Sequence, residues 1–129
     1  MGALFIDCLF VGVGGFIGSV ARYLLGFLSP GSQSGFPFIT LGINVVGSFL
    51  IGFLVVHFTK NSNLDPHLLL FLKVGICGGF TTFSTFSLES MQLIQDGNVP
   101  AAVLYIVASV ILGLIAVFAG SSIGDWANA

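Results

Sequence analysis

An all-α integral membrane protein with four transmembrane helices, the third of them broken, follows from three observations on the sequence. Only 6% of the 129 residues are charged and 56% are apolar, whereas a soluble domain carries about 25% charged residues. The apolar residues fall in four long runs, roughly 3–28, 36–59, 66–95 and 100–122, and a membrane-spanning helix needs about 20 such residues. Within the third run, the stretch from Gly75 to Glu89 holds Gly75, Gly78 and Gly79, a cluster of Thr and Ser hydroxyls, three phenylalanines and a carboxylate. Glycine weakens a helix by about 1 kcal/mol relative to Ala. Backbone freed from its ladder at membrane depth is tolerated only where protein buries it or where it lines a wet cavity. Function is expected at that stretch.

The four runs make one transmembrane domain over 1–129, with no room for a soluble domain. The first run has no basic leading segment, and its Gly-rich second half carries Arg22, unlike a signal peptide. Ser29-Pro30-Gly31 closes it as a turn. The second run ends in Lys60-Asn61-Ser62-Asn63. Leu64-Asp65-Pro66 then opens the third, with Asp65 as cap and Pro66 in the first turn. Asp96-Gly97-Asn98 ends that run, and Pro100 opens the fourth. Cys8 and Cys77 fall inside spans as small apolar fillers, and their spacing suits neither a disulfide nor a metal pair. His57 and His67 stand near the ends of runs, at headgroup level, and two isolated histidines make a poor metal site.

Orientation follows the Lys/Arg balance of the connections. Lys60 and Lys73 flank the connection between the second and third spans, and Arg22 lies toward the opposite end of the first. That balance is close to neutral, so insertion in both orientations is expected. Thr40, Asn44, Ser48 and Gly52 recur every fourth residue and share one helix face. Gly14, Gly18 and Arg22 do the same in the first span, as do Tyr105, Ser109 and Gly113 in the fourth. Close helix packing explains small-residue and hydroxyl stripes of this kind, and it is the favoured reading for Gly14 and Gly18. Gly12-x-Gly14-Gly15 is no dinucleotide fingerprint, because it lies in a membrane run without a preceding strand. Asn44 divides evenly between an interhelical hydrogen bond and a ligand or pore contact. Arg22 and Glu89 are intramembrane ionisable groups, which default to functional roles; a direct Arg22–Glu89 ion pair is the structural alternative.

Read as a helix after the glycines, the third span puts Phe83, Phe86, Ser87 and Ser90 on one face, with Thr82, Thr85 and Glu89 on the next. Aromatic rings have a negative face and a positive edge, so edges attract anions and faces attract cations. Hydroxyl and amide donors can replace part of an anion's hydration shell. A break near Gly78 to Thr81 exposes carbonyls that suit a cation. The residues alone leave the ion open.

Gly14-Gly15-Phe-Ile-Gly18-x-x-x-Arg22-Tyr23, Thr40-Leu-x-x-Asn44-x-x-Gly47 and Gly78-Gly-Phe-Thr-Thr-Phe-Ser-Thr-Phe-Ser-Leu-Glu89 closely resemble the Fluc/CrcB fluoride channels. The resemblance implies an antiparallel, dual-topology homodimer in the inner (plasma) membrane, passing fluoride passively outward to relieve its toxicity. By position it implies that Phe83 and Phe86 are ring-edge fluoride contacts with Asn44 beside them. Ser84, Thr85 and Glu89 would then follow on the third helix, Thr40 on the second, and Tyr105 and Ser109 on the fourth. Arg22 would stand in a vestibule, and the carbonyls of Gly78 and Thr81 would hold a structural sodium ion at the dimer centre. Some relatives carry a hydroxyl where this chain has Gly113. The implied partners are a second copy, fluoride and membrane lipid, with no nucleic acid. The competing reading is a proton-coupled exporter similar to the small multidrug resistance type. That mechanism needs a carboxylate near the centre of the first span, whereas Asp7 lies near its end and leaves Glu89 as the candidate. An enzyme is not expected, since the serines have no histidine beside them at membrane depth to form a nucleophile–base pair.

Overall fold

The computed structural model describes residues 1–28 and 35–129; the Ser29-Pro30-Gly31 turn lies outside them. The chain is all-helical, and four of its helical stretches are long and apolar enough to cross a membrane. The first span is α1 (Gly2–Leu25), prolonged by a 3-10 turn at Gly26–Leu28. The second is α2 (Phe38–Lys60). The third is composite: α3 (Pro66–Leu69), a π-helical segment Leu70–Cys77, α4 (Gly78–Phe80), an extended pair, then α5 (Phe83–Gln95). The fourth is α6 (Val99–Ala127).

The caps follow from the sequence. Asp65 accepts the His67 N–H at 2.9 Å with Pro66 in the first turn, satisfying a donor that the helix itself leaves orphaned. After α5, Gly97 takes φ 81°, a left-handed conformation that costs glycine little. Asn98 then caps α6 through the Ala101 N–H at 3.3 Å. Polar Ser121 and Ser122 do not end α6. The Ser121 hydroxyl donates to the Gly52 carbonyl at 3.4 Å, so the helix runs five residues past the expected 122, to Ala127.

Small residues set which helices pair. A Cβ at Gly14 would collide with the Phe71 carbonyl oxygen, and one at Gly18 with that of Ile76. Backbone contact of this closeness joins α1 to the first half of the third span. A Cβ at Gly52 would meet the Val117 carbonyl, and one at Gly120 that of Phe49, so α2 and α6 form the second close pair. Between lipid-solvated helices, packing rather than water exclusion drives association, and small residues make it possible. The first-span glycine stripe is therefore a packing face.

The end bearing both termini carries most of the charged groups. Lys60 pairs with Asp125 at 2.8 Å, and His67 stacks on Phe10 with ring nitrogens 3.3 Å from Asp7 and from Asp65. Lys73 belongs to the π-helical segment rather than to a connection. Cys8 and Cys77 are free thiols.

Candidate functional site

The interruption of the third span falls at Thr81 and Thr82, just after the glycines. Gly78–Phe80 stays helical, while Thr81 (φ −82°, ψ 158°) and Thr82 (φ −152°, ψ 122°) are extended. The Asn44 side-chain amide donates to the Thr82 carbonyl at 3.2 Å, and the Thr82 N–H donates back to Asn44 Oδ1 at 2.9 Å. Thr82 Oγ1 accepts from the Thr85 N–H at 3.2 Å and so caps α5. Thr81 folds back, giving both its N–H (3.0 Å) and its hydroxyl (2.8 Å) to the Cys77 carbonyl. Its methyl lies where a side chain at Gly47 would stand, so α2 can reach the break only with glycine there.

These substitutions free specific carbonyls. In a continuous α-helix the N–H of Thr82 would serve Gly78 and that of Thr85 would serve Thr81. Here Thr82 turns to Asn44 and Thr85 to the Thr82 hydroxyl. The Gly78 and Thr81 carbonyls have both lost their helical donors. Uncharged oxygens at the ends of half-helices are the donor set that suits a hard monovalent cation. The residues present thus fit the sodium ion that the resemblance implies.

Two cavities flank the break, and Thr82 lines both. The first, about 380 Å³, is lined by Asn44, Ser48, Cys77, Thr81, Phe83, Phe86 and Ser109 among others. Phe83 and Phe86 stand with ring centroids 5.7 Å apart, and the Ser109 hydroxyl is buried with no hydrogen-bond partner among the described residues. A buried polar atom without a partner is costly, and this one belongs to a wall that can receive a polar guest. The second cavity, about 260 Å³, is lined by Arg22, Tyr23, Thr40, Thr82, Thr85 and Glu89 among others. Of the two side-chain faces read from the third span, Phe83 and Phe86 open on the first cavity and Thr85 and Glu89 on the second, while Thr82 borders both and Ser87 and Ser90 border neither.

Glu89 is held from both sides. Thr40 donates to Oε2 at 3.0 Å and Tyr105 to Oε1 at 2.9 Å. Tyr105 is fully buried beneath Phe86, ring centroids 5.2 Å apart. Among the described residues Arg22 makes no ion pair with Glu89. Its Nε instead donates to the Gly79 carbonyl at 3.1 Å, so the direct-pair alternative is corrected. Both groups line one cavity, but each has a nearer partner. Ser84 is exposed, 3.4 Å from the Thr82 hydroxyl, and lines neither cavity.

Asn44 makes the interhelical hydrogen bond that was one of its two expected roles, but its partner Thr82, the Arg22–Gly79 contact and the Glu89 bracket have no signature in the sequence. Each joins residues 16 to 57 positions apart, and no local pattern encodes such pairs. The capping role of Thr82 was legible, since threonine ahead of a helix is a favoured cap.

Four apolar spans, one of them interrupted, with amide, hydroxyl and ring groups gathered at the interruption, define a multi-pass membrane protein. The family described as CrcB-like protein, Camphor Resistance (CrcB), matches residues 9–121. A fluoride-specific ion channel FluC 1 of Nitrobacter hamburgensis is 51% identical over 117 residues, 89% of this chain and 92% of that protein. Fluoride-specific ion channels FluC of Chlorobaculum tepidum and Chlorobium phaeobacteroides are 48% and 42% identical, over 89% and 92% of this chain and 91% and 94% of theirs. The chain belongs to the CrcB/FluC family.

Proposed function

We propose that this protein is a fluoride-specific ion channel that lets fluoride leave the cell passively, without covalent chemistry. The observation that carries the reading is the arrangement about Thr82. One cavity presents the Phe83 and Phe86 rings with Asn44 and the unpartnered Ser109 hydroxyl; the other presents Thr40, Thr85, Glu89 and Arg22. Ring edges and neutral donors suit a small, strongly hydrated anion better than they suit an organic solute. The relatives' naming as fluoride-specific channels supports the choice of ion.

The working unit is proposed to be an antiparallel homodimer. Phe83 is 78% exposed in the single chain, and a ring that lines an ion path needs a second wall. Gly78 is also exposed, which lets its open carbonyl meet a two-fold axis. A sodium ion held by the Gly78 and Thr81 carbonyls of two copies completes the proposal; bound there, it supplies positive charge at the centre of the assembly. Ser84, exposed at the start of α5, would face the fluoride path only through the second copy.

Bacterial cells sensitised to fluoride test the function directly. Expressing this chain restores their growth in fluoride medium, and failure of a correctly inserted chain to do so removes the proposal.

A further inference from the structure

We propose that Arg22 is a positioning residue: by holding the Gly79 carbonyl it keeps the neighbouring Gly78 and Thr81 carbonyls directed at a monovalent cation. This rests on the cation part of the function proposed above. Four carbonyls, Gly78 to Thr81, lose helical donors when a helix is broken after Phe80. A cation that needs only some of them requires the others to be kept out of competition. Of the two not assigned to the cation, Gly79 and Phe80, it is Gly79, next to Gly78, that a side chain claims: Arg22 Nε at 3.1 Å from α1.

The geometry of the anchor is fixed by glycine. A Cβ at Gly79 would come within 2.6 Å of the Gly15 carbonyl and 3.0 Å of Ser19 Oγ, and one at Gly18 would strike the Ile76 carbonyl. Backbone contact between α1 and the segment before the break therefore sets Arg22 within reach of Gly79. The donor is Nε, which leaves the two terminal nitrogens of the guanidinium for the cavity shared with Thr40, Thr85 and Glu89. A side chain serving only as a charge in that cavity would have no need of an Nε–carbonyl bond. With its delocalised fork of donors, arginine can bond a carbonyl and still present charge elsewhere, which lysine's point charge does less well.

The side-chain chemistry offers a clean separation of roles. In Arg22→Gln the amide nitrogen stands at the same distance along the chain as Nε, so the donor is kept and the charge lost. In Arg22→Met a methyl stands there, so both are lost. Arg22→Lys keeps the charge and puts a methylene at the Nε position. The experiment is thermal unfolding of the full-length detergent-purified protein, titrated with sodium against a large organic cation at constant ionic strength. Wild type and Arg22→Gln are expected to be stabilised over the same sodium range, while Arg22→Met needs about tenfold more sodium, as befits loss of the hydrogen bond that both of the others can make to Gly79. Equal sodium response in Gln and Met variants overturns the proposal, as does a response kept by Lys and lost by Gln. If Arg22→Met does not fold, the Gln and Lys comparison still decides. A wild type indifferent to sodium also overturns it, and leaves the fluoride reading to be judged separately by fluoride movement.

Discussion

Asn44 grips Thr82 by both polar groups of its backbone, donating to the carbonyl at 3.2 Å and accepting from the N–H at 2.9 Å. A side-chain amide here replaces the neighbouring turn of a helix, and it does so from a different span. The contact explains how two extended residues persist at membrane depth, where an unpaired backbone group costs several kcal/mol.

Removing that grip should be costly. Asn44→Ala leaves the Thr82 N–H and carbonyl without partners, so unfolding in detergent is expected to become easier by about 1–3 kcal/mol. Asn44→Asp keeps the acceptor but loses the donor and adds a charge, and should be no milder. Thermal melting of the purified variants reads the result.

The Glu89 bracket predicts energetic coupling between Thr40 and Tyr105, the two donors to one carboxylate. Thr40→Val and Tyr105→Phe each delete one donor to the same carboxylate. Their combined destabilisation should differ from the sum by about 0.5–3 kcal/mol, the range found for residues sharing a network. A double-mutant cycle in melting measures it; strict additivity would mean that the carboxylate is not the shared partner.

Glycine contacts predict a position-dependent alanine scan. Gly120→Ala and Gly14→Ala push a methyl into a facing carbonyl and should destabilise by about 1–3 kcal/mol through overpacking. Nothing lies within 4 Å of a Cβ at Gly42, so Gly42→Ala should be neutral or slightly stabilising, given the helix propensity of alanine. Expression level and melting temperature distinguish the two groups.

Much of the fold was legible because lipid enforces a simple rule. Runs of apolar residues must become helices, and each of the four did so, with Asp65 capping where its position announced it. The exact place of the break was less legible. Glycines marked the weakness, yet the helix continues through Gly78–Phe80 and opens at Thr81, because the partners that stabilise an extended pair sit beyond the glycines. The π-helical turn at Leu70–Cys77 had no local signature either. In the site, spacing separates Phe83 and Phe86 from Thr85 and Glu89 as expected, but Thr82 is extended, lies outside α5 and lines both cavities. The sequence left a direct Arg22–Glu89 pair open as an alternative, because it lists charges but not carbonyls, and Arg22 bonds the Gly79 carbonyl instead. The carbonyl it found became available only when the helix broke.

Rings and flux are linked by a direct expectation. Phe83→Ile or Phe86→Ile replaces a positive ring edge with aliphatic surface and should slow fluoride efflux about tenfold or more, equivalent to ~1.4 kcal/mol on the barrier. The proposed dimer, followed by cross-linking, should persist. Unchanged efflux in both variants would remove the rings from the path.

Electrically monitored efflux from liposomes holding the purified protein, loaded in turn with fluoride and chloride, tests the central claim most directly. The account predicts rapid fluoride efflux with no proton gradient, and no chloride efflux above protein-free liposomes. Chloride leaving alongside fluoride, or fluoride moving only when a proton gradient is imposed, would contradict it.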